Sequence, residues 1–236
     1  MIRLISNQDN CDNCGFVPFC QTGENDCQHH DLLQGVVRVR RELKRNDVLC
    51  MPKYKFESLY AIQSGALKAY QIEMNGKEII HGFYFTGEIV GYKAIHKGHY
   101  FSTIVAMTDA VVCEIPYDHL LRQLESRPDL QKHILQLISR QLNVGSYLDC
   151  TSAEQRISAF LIDMRGRLQN DQDLKTLLLP MTRQDIGNHL KLTAETVSRV
   201  FSKLQRDKII TIDGKMVCFD QWEQLKALAG YCISEK

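Results

Sequence analysis

The stretch Thr193-Ala194-Glu195-Thr196-Val197-Ser198-Arg199-Val200-Phe201-Ser202-Lys203-Leu204 constrains this chain more than any other. Val197, Val200, Phe201 and Leu204 fall at i, i+3, i+4 and i+7, one apolar stripe at helical period. Glu195, Ser198, Arg199 and Ser202 repeat that spacing on the opposite side. Thr193 suits an N-cap, because its hydroxyl can accept a hydrogen bond from an orphan amide of the first turn. The pattern predicts a short capped helix with one dry face and one face carrying an acceptor, a hydroxyl and a fork-shaped cation. That set suits base edges, since arginine pairs bidentately with guanine and glutamate accepts from cytosine. An ordinary solvated surface helix would show the same pattern, so the neighbours must decide. Upstream, Thr182-Arg183-Gln184-Asp185 caps a helix running through Ile186 to Leu190, and a short turn follows, which is helix-turn-helix spacing. Downstream, Ile209 to Phe219 reads as a hairpin turning at Asp213-Gly214. Helix-turn-helix followed by a hairpin makes a winged helix.

Charge is distributed to match. The net charge is only +1, so the whole molecule is no generic polyanion binder. Residues 180–215, however, hold seven bases against four acids, while residues 1–35 hold one base, Arg3, against five acids. Contact with a phosphate backbone is therefore expected through the C-terminal part. At 236 residues, 44% hydrophobic and 24% charged, the chain can bury one large core or two ordinary ones. No stretch approaches a membrane span, and the first nine residues contain no apolar segment of the signal-peptide kind. A cytoplasmic protein with no membrane contact is expected.

Nine cysteines are many for that compartment, and an odd number fits a closed disulfide framework poorly. Cys11, Cys14 and Cys20 are spaced Cys-x2-Cys-x5-Cys around Gly15 and Pro18, a turning loop in which thiolates can converge on one centre. A fourth cysteine from elsewhere would complete an iron–sulfur set. A structural zinc needs the same count, with Cys27, His29 and His30 nearby, and spacing alone leaves both open. Residues 24–41 read as mixed helix and loop, ending in a basic run (Arg38, Arg40, Arg41, Lys44, Arg45) that has the look of a solvated edge.

Between residues 48 and 115 the pattern changes. Short β-rich runs at Leu59–Ile62, Leu67–Ile72, Glu78–Phe85, Glu88–Tyr92, Phe101–Met107 and Ala110–Ile115 are separated by turn signals at Ser64-Gly65, Asn75-Gly76 and Thr86-Gly87. About eight antiparallel strands in a sandwich or barrel are expected. In the last run Val111, Cys113 and Ile115 share a face by period two, which on its own makes Cys113 a core thiol. Tyr117 to Leu148 reads as one long helix with a restart at Pro128. Its apolar stripe, including Ile134, Leu137, Ile138 and Leu142, suits either packing on the barrel or a dimer seam. Thr151-Ser152-Ala153-Glu154 has the form of a capping box opening a helix to about Leu168.

A β-roll, a long helix and a C-terminal winged helix, in that order, resemble the CRP/FNR transcription regulators over nearly the whole chain. Glu195-x-x-Ser198-Arg199 matches the Glu-x-x-Ser-Arg signature of the family's oxygen-sensing branch, and Cys11, Cys14 and Cys20 match three of that branch's cluster cysteines. Val112-Cys113-Glu114-Ile115-Pro116 reproduces the stretch that carries its fourth, which turns Cys113 from a core thiol into a candidate ligand. The resemblance implies an α+β chain: a cysteine-rich cluster segment at 1–30, a cyclic-nucleotide-binding-like β-roll at 31–116, a dimerisation helix at 117–150 and a winged helix-turn-helix at 151–236. It implies a [4Fe-4S] cluster on Cys11, Cys14, Cys20 and Cys113 that favours a DNA-binding homodimer when oxygen is absent. Two recognition helices would enter successive major grooves of a palindromic site with TTGAT-like halves. Glu195, Ser198 and Arg199 would read bases, Arg199 on guanine, within a DNA-facing set that also holds Thr182, Arg183, Thr193, Thr196 and Ser202. RNA polymerase is implied as a partner where such a regulator activates.

Nucleotide-binding relatives pair Gly-Glu with Arg-Ser. Here Gly87-Glu88 is present, but the second position holds Tyr100-Phe101, and a cyclic phosphate buried without its cation would be strongly disfavoured. No cyclic nucleotide is expected. Further departures bear on regulation. Gly145 stands where the oxygen-sensing branch carries an aspartate that opposes the apo dimer, and the segment from Leu148 to Thr151 is about one helical turn short. Both point to readier dimerisation without a cluster. Lys77 replaces an acid of the polymerase-contacting patch, and Lys191 stands in the helix-turn-helix turn where glycine is common. A thiol–disulfide regulator switching through Cys11, Cys14, Cys20 or Cys27, or a zinc-structured one, is the alternative. No triad, phosphate-cradling glycine loop or His-rich pocket suggests an enzyme.

Overall fold

A computed structural model describes residues 3–4, 39–142, 146–168 and 175–230. Cys11, Cys14, Cys20, Cys27 and Gly145 lie outside them. The chain divides into two compact units: Met1–Gln71 with His81–Leu142, and Ile72–Ile80 with Asn143–Lys236.

The first unit is built on two antiparallel sheets. One has the order β1-β2-β9-β4-β7, with β1 Arg3–Leu4, β2 Val39–Leu43, β9 Ala110–Pro116, β4 Ser58–Ser64 and β7 Ile89–Val90. The other has the order β3-β8-β5-β6, with β3 Val48–Cys50, β8 Thr103–Ala106, β5 Ala66–Ile72 and β6 Glu78–Phe85. The expected β-rich runs are all present, shortened at Ile89–Val90 and at Thr103–Ala106, and the three turn signals hold glycines at positive φ, among them Gly65 at 89°. Gly65 is also forced by space: a Cβ there would come within 2.5 Å of the Asp109 carbonyl oxygen. The core joins both sheets through residues such as Leu59, Ile62, Leu67 and Ile115, each at most 1% exposed.

The reading of residues 24–41 as mixed helix and loop fails at its end, where Val39 to Arg41 open β2, whose alternation Val39-Arg40-Arg41-Glu42-Leu43 is masked by charge. These arginines are no solvated edge: Arg40 is buried and Arg41 pairs with Glu114. The long helical stretch restarts at Pro128 as its sequence signalled, giving α1 Tyr117–Ser126 and α2 Pro128–Leu142, separated at Arg127. Proline at the first position of α2 fits, because it lacks the amide that a first turn leaves unpaired, while it pushes the preceding residue out of helical conformation. Ile134, expected at the dimer seam, is 7% exposed and packs into the roll core with Leu130. Gln141 holds the end of α2 by donating to the Ile89 carbonyl at 2.8 Å.

In the second unit, α3 Ala153–Leu168, α4 Arg183–Leu190, α5 Ala194–Arg206 and α6 Trp222–Ala229 surround Phe160, Leu161, Met164, Ile186, Leu190, Val197, Phe201, Leu204 and Leu225, none more than 2% exposed. A three-stranded sheet ordered β10-β12-β11 stands beside them, with β10 Thr176–Leu178, β11 Ile210–Asp213 and β12 Met216–Phe219. Strand β10 had no expectation. Asp213 pairs with Met216, so the hairpin turns at Gly214-Lys215, one residue later than its sequence suggested. The capping box before α3 is also shifted by one: the Ser152 hydroxyl accepts from the Gln155 amide at 3.1 Å, and the Gln155 side chain accepts from the Ser152 amide at 3.2 Å. Serine with glutamine satisfies the same reciprocal rule as the expected Thr151 and Glu154.

Candidate functional site

Helices α4 and α5 are set by their caps. Thr182 accepts from the Asp185 amide at 3.0 Å, and the Asp185 carboxylate accepts from the Thr182 amide at 3.0 Å, a complete capping box. Lys191 ends α4 in the left-handed conformation, φ 57°, so the strain foreseen for a side chain at this turn is present. Gly187, missed in the sequence, lets the two helices meet: a Cβ there would lie 2.8 Å from the Leu192 carbonyl oxygen. A glycine inside a capped helical pattern was the available signal. Thr193 then caps α5, accepting from the Thr196 amide at 3.1 Å.

With Val197, Phe201 and Leu204 buried, Glu195, Ser198, Arg199 and Ser202 are all exposed on the outer face of α5. The Ser198 hydroxyl donates to the Ala194 carbonyl at 2.9 Å, and the Arg199 guanidinium reaches the Thr196 hydroxyl at 3.5 Å. Thr193 and Thr196 are joined hydroxyl to hydroxyl at 2.9 Å, so both shape the helix start. Arg183 differs from the other expected DNA-facing residues, because its guanidinium lies over the Phe201 ring, 3.6 Å from the centroid. Lys203 is bound to Glu154 at 2.7 Å, tying α5 to α3. The exposed face thus carries an acid, hydroxyls and one forked cation at helical spacing, the chemistry of base-edge reading.

In the first unit, Cys113 is in no disulfide and is 5% exposed. It pairs in register with Arg40 on β2 and with Ala61 on β4. Its neighbour Glu114 takes the opposite face, where it accepts from Ser58 at 3.0 Å and pairs with Arg41. Tyr100 donates to the Ser58 carbonyl at 2.6 Å in the same network. Burial pushes the Cys50 thiol up to about 12, so this cysteine stays protonated and serves packing. Strand β1 pairs with β2, Arg3 with Glu42 and Leu4 with Arg41. The described strands that precede and follow Cys11, Cys14 and Cys20 in sequence, β1 and β2, are thus neighbours in one sheet, and β2 lies beside the strand of Cys113. The donor set, four thiols that include the buried Cys113 of that sheet, fits an iron–sulfur centre. Among the described residues alone, no group of three or more His, Cys, Asp or Glu side chains could hold a metal.

A small cavity in the roll is lined by His81, Lys93, Tyr100, Phe101 and Ser102 among others. Tyr100 and Phe101 are thus cavity residues, and no arginine lines it, although Lys93 brings an ammonium that the sequence comparison did not weigh. No helix among the described residues is long and apolar enough to cross a membrane.

A ligand-binding type of β-roll joined to an exposed recognition helix defines a DNA-binding transcription regulator. Residues 40–127 match the cyclic nucleotide-binding domain family, and residues 155–228 match the Crp-like helix-turn-helix domain. The chain is 31% identical over 226 residues to the fumarate and nitrate reduction regulatory protein of Salmonella typhimurium, covering 94% of this chain and 90% of that one. It is 32% identical over 229 residues to the transcriptional activator protein Anr of Pseudomonas protegens, covering 95% and 94%. FixK2 from Bradyrhizobium japonicum shares the fold with a TM-score of 0.71 at 22% identity, over 84% of this chain and 98% of that one. The chain belongs to the CRP/FNR family and is a DNA-binding transcription regulator of the FNR/Anr type.

Proposed function

We propose that this regulator responds to oxygen through a [4Fe-4S] cluster held by Cys11, Cys14, Cys20 and Cys113. The pairing of β1 with β2 carries the reading. In that sheet β2 runs beside the Cys113 strand and β1 lies one strand further out. Cys11 follows Leu4 by seven residues, roughly 24 Å of extended chain, a reach that supports a shared site. When bound, the cluster supplies oxygen-labile iron–thiolate links between that segment and the roll. Cys113 stands four residues before Tyr117, the first residue of α1, which leads directly into α2, so ligation at this thiol bears on the helix pair. On α2, Leu135 and Leu142 are 67% and 70% exposed, and with Ile138 they repeat at i, i+3 and i+7. This is the seam of a homodimer, with Leu137 and Ile138 also packed partly against the roll core.

The dimer presents two α5 helices to successive major grooves of a palindromic TTGAT-like site, Arg199 on guanine with Glu195 and Ser198 beside it. Thr182, Thr193 and Ser202 flank the groove. The roll cavity takes no cyclic nucleotide, because Tyr100-Phe101 supplies no guanidinium for a phosphate. The protein acts in the cytoplasm, and RNA polymerase is its partner at promoters it activates.

Anaerobic purification with iron and sulfide analysis, followed by binding to a TTGAT palindrome before and after air, tests this. Bound iron and sulfide in near-equal amounts, with air-sensitive DNA binding lost in Cys113→Ser, is expected. Colourless, iron-free protein indifferent to air overturns it, and iron-free protein restored by dithiothreitol or holding zinc selects a thiol or zinc regulator.

A further inference from the structure

Helix α5 carries an acid and a forked cation at the spacing that most readily joins them. Glu195 and Arg199 stand at i and i+4, both exposed, with the acid on the N-terminal side. That order is the favourable one for an ion pair within a helix. Such a pair would occupy both the acceptor and the donor that base reading needs. Among the described residues, however, the two form no ion pair, and the Arg199 guanidinium reaches the Thr196 hydroxyl instead.

Thr196 is half-buried, three positions before Arg199 and three after Thr193. Residues three apart on a helix are neighbours, so the three side chains form one row. Its hydrogen bonds run in one direction. A guanidinium nitrogen only donates, so the Thr196 oxygen accepts from Arg199 at 3.5 Å. The Thr196 hydroxyl then gives its own hydrogen to Thr193, 2.9 Å away. Thr193 also accepts from the Thr196 amide at 3.1 Å, which anchors the row in the cap of the helix. The Ser198 hydroxyl is committed elsewhere, donating to the Ala194 carbonyl at 2.9 Å.

We propose that Thr196 is a positioning residue for base reading: tethered to the Thr193 cap, its hydroxyl holds the Arg199 guanidinium apart from Glu195, so that acid and cation meet the base edges as separate groups. The role rests on the placement of Arg199 on guanine. At 3.5 Å the contact steers the fork without locking it, and a guanine edge can still draw the guanidinium forward. Orienting the side chain before DNA arrives lowers the ordering cost of the contact, and it does so at the one base that Arg199 reads.

Thr196→Val removes the hydroxyl while keeping the side-chain shape and the backbone amide that Thr193 caps. Thr196→Ser keeps the hydroxyl. The full chain of each, purified anaerobically, is titrated with a TTGAT palindrome and with the same duplex carrying another base pair at the guanine of each half. The ratio of the two dissociation constants is read, so a loss shared by both duplexes cancels. Thr196→Val should lower that ratio by about 3- to 10-fold, with a melting midpoint near the parent value. Thr196→Ser should keep the parent ratio. Adding Glu195→Gln to Thr196→Val should bring the guanine ratio back toward the parent, because the uncharged amide no longer draws the fork aside. A parent ratio retained in Thr196→Val, an equal loss in Thr196→Ser, or no recovery with Glu195→Gln would overturn the proposal. A parent chain without preference for guanine would remove the placement of Arg199 itself, and the role of Thr196 with it.

Discussion

The guanidinium carbon of Arg183 lies 3.6 Å from the centroid of the Phe201 ring, so the first helix of the helix-turn-helix grips the second through a cation–aromatic stack. Phe201 is 2% exposed, and its ring is thereby sealed on the side facing α4. An arginine that sequence alone assigns to DNA has its flat face committed to the fold. Arg183→Ala is expected to destabilise the unit by about 1 kcal/mol. It should weaken binding to matched and mismatched sites alike. Urea unfolding beside binding isotherms checks this, and unchanged stability with a smaller salt dependence of binding would return Arg183 to the phosphates.

Arg199 is placed differently. It is exposed, with only the Thr196 hydroxyl at 3.5 Å for company. Arg199→Ala should leave stability unchanged, cost about 1–3 kcal/mol on the matched site and relax preference at one guanine. A binding series over single-base variants of the half-site measures it, and equal loss on all of them would make Arg199 a phosphate contact.

The turn between α4 and α5 contains two opposite substitutions. Gly187→Ala forces a Cβ to within 2.8 Å of a backbone oxygen that cannot swing away, and should cost about 1–3 kcal/mol. Lys191→Gly relieves a left-handed residue at φ 57° and should gain about 1 kcal/mol. Thermal melts of the two variants should move in opposite directions, and a destabilised Lys191→Gly would mean that its side chain does more than fill the turn.

His81 gives the first unit a pH dependence. Burial, and after it the nearby Lys93 charge, hold its pKa below the usual 6.5. The neutral ring donates to the Gln71 side chain at 2.8 Å. The unfolded chain therefore binds the proton more readily than the native one, and stability rises with pH in this range. The contribution is complete above pH 6.5 and is lost as pH falls through the native value. His81→Gln should flatten the acid side of the stability profile below pH 6.5, and an unaltered profile would assign that slope to other groups.

Leu135 and Leu142 offer the clearest test of association. Leu142→Asp or Leu135→Lys should shift the protein toward monomer in sedimentation while leaving the melting of each unit near the parent value. A change at Ile134, buried in the roll, should instead unfold the first unit. Dimers surviving both surface substitutions would move the seam elsewhere.

The recognition helix was legible because its two periodicities lie in plain view: a hydrophobic stripe at Val197, Phe201 and Leu204, and a polar one at Glu195, Ser198 and Arg199. Caps at Thr182 and Thr193 fixed its start to the residue. Strand β2 was illegible for the opposite reason, since Arg40 and Arg41 hide a half-buried strand behind charges that are satisfied by tertiary partners such as Glu114. The orientation of α2 was only partly legible. Periodicity shows that a helix has two apolar neighbours, but not which of Ile134 or Leu135 faces which. The cluster residues divide in the same way: Cys113 is described and buried on the expected strand, while Cys11, Cys14 and Cys20 rest on their motif.

Gly187 and the exposed face of α5 together separate two kinds of change open to this protein. Substitution at position 187 disturbs the backbone elbow on which the helix pair is mounted. Substitution at 195 or 199 touches no core side chain, and position 198 adds only one local hydroxyl bond. Target preference can therefore drift one base at a time across a lineage without the fold registering the change, so related regulators with the same elbow can diverge into separate regulons while melting at the same temperature.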